Sequence, residues 1–101
     1  MTTLEVLKAA RELISDEKRW TQREFSRDAD GNPLGSDEVS AGVCFCAVGA
    51  LLRCEGRIFS ESYEALSESM EAVTVSYYND THTHAEVLAK FDEAIAKLEA
   101  A

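Results

Sequence analysis

Val43-Cys44-Phe45-Cys46-Ala47-Val48-Gly49-Ala50-Leu51-Leu52-Arg53-Cys54 is the stretch that most constrains this chain. Only Arg53 in it is charged, and it holds all three cysteines. An apolar run of twelve residues falls short of the roughly 18 that a membrane span needs. It reads as a buried helix around which the other elements must pack. Val39, just before the run, and Val43, Cys46, Ala47, Ala50, Leu51 and Cys54 within it form one helical stripe, and Gly49 and Ala50 are small enough to let a neighbouring backbone approach. Ser36 or Asp37 is expected to cap this helix, and Gly56 to stop it.

The flanking segments supply amphipathic partners. Thr2 with Glu5 reads as a capping box that starts a helix from about Thr3 to Ser15, with Leu4, Leu7, Ala10 and Ile14 on one face. From Lys18 to Asp28 the chain suits an extended segment. Trp20 and Phe25 lie an odd number of residues apart, however, so a straight strand would send them to opposite faces. Asp28-Ala29-Asp30-Gly31-Asn32-Pro33 is turn chemistry, giving a short hairpin with its second arm near Pro33 to Gly35. Ser60 or Ser62 opens a weaker helix, Glu61 to about Ala72. Val73–Tyr78 is β-branched and aromatic, and reads as a short strand or buried connection. Thr83 with Glu86 is a second capping box, and Val87, Leu88, Phe91, Ala94, Ile95 and Leu98 keep helical spacing behind it. The expected architecture is mainly α: a compact four-helix domain around an apolar central helix, with a small β-hairpin or extended appendage. At 101 residues it is a single domain, 1–101.

Nineteen acidic residues against ten basic ones give a net charge of −9. Nucleic-acid affinity comes largely from counterions that Lys and Arg displace, so direct DNA or RNA binding is not expected. The N-terminus Met1–Glu5 lacks the basic and apolar regions of a secretory signal, which makes a cytoplasmic protein the expectation. The three cysteines, confined to eleven residues, do not form a disulfide scaffold and read as free thiols.

Three landmarks recur in an order that resembles a family of small bacterial and phage-borne domains of unknown function. They are Trp20 followed by Arg27-Asp28-Ala29-Asp30-Gly31-Asn32-Pro33, then Cys46-Ala47-Val48-Gly49-Ala50-Leu51, then Tyr78-Asn79-Asp80 ahead of Val87-Leu88. Tyr78 departs from the Trp usual at its position. The resemblance implies a shared fold and carries no activity.

Candidate chemistry is sparse. Cys44, Cys46, Cys54, His82 and His84 are possible zinc ligands. A helical Cys-x-Cys, however, turns its two side chains about 200° apart. Asp28, Asp30 and Asn32 alternate as in a calcium loop, but Pro33 and Val39 stand where such a loop needs Gly and Glu. Cys46 is a possible reactive thiol, although an apolar helix would bury it and raise its pKa. Asn79-Asp80, with Trp20 and Asp28, forms either a structural polar pair or the wall of a pocket. No cofactor is implied. The reading that follows is a small acidic non-catalytic protein-interaction domain, possessing an unidentified protein partner and existing as a monomer or homodimer. The alternative is a small-molecule-binding protein or minor enzyme with its pocket near Trp20 and Asn79-Asp80.

Overall fold

The computed structural model describes residues 1–57, 59–71 and 73–101. Helix α1, Thr3–Leu13, begins at the expected capping box: Thr2 Oγ1 accepts from Glu5 N, and Glu5 returns a carboxylate to Thr2 N. It ends earlier than Ser15, with Ile14 as its C-cap. A 3₁₀ turn, Glu17–Arg19, follows and delivers Trp20 to a parallel bridge with Phe45.

Strand β1, Ser26–Arg27, is the centre of a three-stranded sheet with β2, Pro33–Leu34, on one side and β3, Cys44–Phe45, on the other. Both pairings are antiparallel, with Ser26 opposite Leu34 and Phe45 and Arg27 opposite Pro33 and Cys44. The odd spacing of Trp20 and Phe25 is resolved by a break between them. Arg23 takes a left-handed backbone (φ 73°), so no single strand runs through both.

Two expectations about the apolar run are corrected here. The helix does not span Val43–Cys54, because β3 occupies Cys44–Phe45 and Val43 is 48% exposed. Helix α2, Ala47–Glu55, starts only after the chain has paired with β1, and Cys46 is its N-cap. Ser36 and Asp37 do not cap it; a 3₁₀ turn, Val39–Ala41, and extended Gly42 lie between. Gly56 closes α2 as expected, in the left-handed conformation (φ 84°) that glycine adopts without strain. Gly49 is required by contact. A Cβ there would collide with the carbonyl oxygen of Phe25, so this glycine lets α2 lie directly on the lead-in to β1.

Helix α3, Glu61–Ser69, has Ser60 as its N-cap residue. The expected end near Ala72 lies outside the described residues. Ser60 and Ser62 both donate to Glu55 Oε1, which ties the end of α2 to the start of α3. Val73–Tyr78 is not a strand. Thr74 caps a helix beyond the four expected, α4, Val75–Thr81, by accepting from Tyr77 N, and that local hydrogen bond outweighs the strand preference of Val75 and Tyr77. Helix α5, His84–Ala100, starts at the second capping box.

The protein is thus mainly helical, with a small antiparallel sheet. α1 packs on α2 and α5, and α3 packs on α5. Leu7, Ala10, Ile14, Ala47, Ala50, Leu51, Leu66, Val87 and Phe91 are all essentially inaccessible and form the common core. No helix among the described residues is long and apolar enough to cross a membrane.

Candidate functional site

The polar centre of the molecule is Asn79 on α4, a side chain with no accessible surface. Its amide can accept two hydrogen bonds and donate two, and all four are made. Trp20 Nε1 (2.8 Å) and Ala47 N (3.0 Å) donate to Oδ1. Nδ2 donates to Thr21 O (3.0 Å) and Asp80 Oδ1 (3.2 Å). One buried side chain therefore joins the segment before β1, the first N–H of α2 and α4. Gln22 reinforces the join from outside, donating to Asn79 O (3.0 Å) and His82 O (3.1 Å).

Both histidines are built into this region. His82 stacks on Tyr78 at 3.6 Å, and its Nδ1 lies 2.9 Å from Tyr78 O; a carbonyl only accepts, so Nδ1 carries the proton. His84 lies against Trp20 at 5.3 Å and places Nε2 2.6 Å from Ile14 O, which makes Nε2 a donor by the same argument.

Beside the Asn79 join is an open cleft of about 190 Å³, lined by Arg23, Glu24, Phe25, Cys46, Ser76 and Asp80. Asp80 is held at its rim by two donors to Oδ1, Arg23 N (2.7 Å) and Asn79 Nδ2. Its Oδ2 takes no hydrogen bond among the described residues. Cys46 is 4% exposed. Burial pushes its thiol up to about 11, against the opposing pull of the Gly49 and Val48 N–H groups. Its Sγ accepts from Gly49 N at 3.3 Å, an N-cap role normally filled by an oxygen.

The structure brings Trp20, Asn79 and Asp80 together, and Cys46 lines the same cleft as Asp80. Asp28 is elsewhere. It closes its own turn, accepting from Asp30 N and Asn32 N, both at 2.9 Å, and the Asn32 N–H chiefly holds its carboxyl below the ordinary carboxylate range. The Asp28 turn thus spends its carboxylate on backbone N–H groups. Among the described residues no three His, Cys, Asp or Glu side chains gather in a metal-binding group. Cys44, Cys46 and Cys54 are free thiols.

Gln22, Arg23, Glu24 and Ser76 were not legible as site residues. Gln22 and Arg23 reach the site through contacts with Asn79 and Asp80, 57 residues along the chain, while Glu24 and Ser76 enter only as lining of the cleft.

Fold and site together define a small helical domain with a three-stranded sheet, pinned at one point by a buried asparagine. The chain belongs to the family of unknown function DUF6197, which it matches over residues 1–97. No curated protein and no solved structure matches it. One residue of each sequence landmark meets here: Trp20 from the first and Ala47 from the second both donate to Asn79 of the third.

Proposed function

We propose that the chain is a small acidic protein-interaction domain that performs no chemistry of its own and takes a basic protein partner. The observation that carries this reading is its uncompensated acidic surface. Nineteen carboxylate side chains face ten basic ones. The ion pairs among the described residues are Lys8–Glu99, Arg11–Asp92 and Lys90–Glu93. Glu12, Glu64, Glu68, Asp37 and Glu38 stand exposed outside those pairs. Such a field attracts cationic surfaces and repels nucleic acid. Rigidly held carboxylates can also imitate phosphates, so a phage-type inhibitor or nucleic-acid mimic is one special form of the same reading. Free thiols suit the reducing cytoplasm. The domain acts as a monomer or homodimer.

The test is calorimetric titration with a polybasic peptide of alternating Lys and Ala across a range of NaCl. Affinity that falls steeply with salt is the expected result. Salt-insensitive binding, or none, would sink the reading.

A small-molecule site at Asn79-Asp80, or a minor enzyme there, has the cleft in its favour. Sites that enclose drug-sized ligands run to about 300–1,000 Å³, and this cleft has about 190 Å³. The Trp20 indole N–H and all four hydrogen-bonding positions of the Asn79 amide are already taken up inside the fold. Asn79→Ala and Asp80→Ala separate the roles: lost stability alone marks structure, whereas lost ligand binding with unchanged melting marks a pocket.

A further inference from the structure

We infer that the cleft between Arg23–Phe25 and α4 is the anchor point for one basic side chain, an arginine or lysine, of the partner protein. This rests on the acidic-interaction reading and adds its location. Three observations carry it. The first is Asp80, whose Oδ1 is fixed by Arg23 N (2.7 Å) and Asn79 Nδ2 (3.2 Å) while Oδ2 takes no partner among the described residues. A carboxylate already oriented by backbone and buried amide loses little freedom when a cation docks, which is the main saving available to a small site. The second is charge. Glu24 and Asp80 against Arg23 leave the lining with a formal charge of −1, on a chain of net charge −9. The third is size and floor. About 190 Å³ is too little for a drug-sized molecule and ample for one side chain, as an apolar cavity of about 150 Å³ already holds a benzene ring. Nearly buried Cys46, a neutral thiol, and Phe25 can receive the aliphatic stem while the charged end meets Asp80.

The left-handed backbone of Arg23 (φ 73°) belongs to the same device. A bulky residue in that conformation is strained and persists only where its surroundings hold it. Here the holding contact is the hydrogen bond from its N–H to Asp80.

The experiment is NMR titration of the full ¹⁵N-labelled chain with the blocked peptide Ala-Ala-Arg-Ala-Ala, and with the same peptide carrying norleucine in place of Arg. The expected result is amide shifts concentrated on Arg23–Phe25, Cys46, Ser76 and Asp80 for the arginine peptide alone. Asp80→Asn keeps an acceptor for Arg23 N and removes the charge; Glu24→Lys reverses a charge that takes no hydrogen bond among the described residues. Each is expected to weaken the arginine peptide about fivefold. Ser76→Trp, at an exposed position on α4, should plug the cleft and abolish those shifts with the melting temperature unchanged. Shifts spread over Glu64 and Glu68, equal shifts from the norleucine peptide, or full binding by Ser76→Trp would overturn the anchor. If the polybasic peptide still binds Ser76→Trp with its full salt dependence, the anchor is wrong and the acidic-surface reading stands. If that peptide binds neither protein, both fail.

Discussion

At the scale of the residue, Asn79 matters because its four hydrogen bonds are inside the fold. Asn79→Ala would leave the part-buried Trp20 indole N–H and the buried Ala47 N–H without their acceptor. Unsatisfied buried donors cost about 1–3 kcal/mol each. With partial relaxation, the variant is expected to lose about 2–4 kcal/mol, measured by urea unfolding against wild type. That is a large share of the 5–15 kcal/mol typical of a whole domain. A loss near zero would mean that water replaces the amide, and that Asn79 is not the pin. Cys46 gives a second residue-level expectation. Its folded-state value, about 11, lies above the ordinary 9.0 of a thiol because burial disfavours the thiolate. The folded chain therefore favours the protonated form. The sign follows: this contribution is fully present below about pH 9 and is lost as pH climbs toward about 11. Wild type should lose more stability than Cys46→Ala across that window, with tyrosine and lysine titration common to both. Iodoacetamide followed by peptide mapping should modify Cys44 and Cys54, both half-buried, well before Cys46.

At the scale of the element, Gly49 sets helix propensity against packing. Alanine is favoured over glycine in a helix interior by about 1 kcal/mol. Here the added Cβ would meet the Phe25 carbonyl, a backbone atom that cannot rotate aside. The clash should win, costing about 2 kcal/mol or more net and disturbing the 3.1 Å bond from Cys46 N to Phe25 O. A Gly49→Ala variant as stable as wild type would mean that α2 can slide away from β1. The same contrast explains what could be read in advance. The starts of α1 and α5 were legible because Thr2/Glu5 and Thr83/Glu86 are complete within four residues. The start of α2 was not, because Val43–Phe45 is as apolar as the helix that follows. What makes Cys44–Phe45 a strand is its pairing with Ser26–Arg27, a distant segment. Helix α4 was hidden by strand-favouring side chains whose weak preference loses to the Thr74 cap. At the site, Asn79-Asp80 stood out as a polar pair at the edge of an apolar segment. Its partners in Thr21, Gln22 and Arg23 could not, since nothing in their own neighbourhood points toward α4.

At the scale of the whole molecule, net charge and specific ion pairs pull stability in opposite directions as salt is added. Screening weakens the three pairs Lys8–Glu99, Arg11–Asp92 and Lys90–Glu93, each with at least one largely exposed partner. Exposed pairs contribute about 0–1 kcal/mol each, so little is lost. Screening also weakens the mutual repulsion of an excess of nine negative charges held on a small body. At about 0.15 M salt the Debye length is about 8 Å, so added salt cuts repulsion between neighbouring carboxylates on α3 while leaving the buried Asn79 bonds untouched. Relief of repulsion should win. The melting temperature is therefore expected to rise by a few degrees between about 0.02 and about 0.3 M NaCl at pH 7, since about 1 kcal/mol moves a domain of this size by roughly 4–8 °C. The same rise should appear in Asn79→Ala, because surface repulsion and the buried pin act independently. A melting temperature that falls with salt would place the electrostatic balance in the ion pairs. It would also count against the proposal that the acidic surface takes a basic partner.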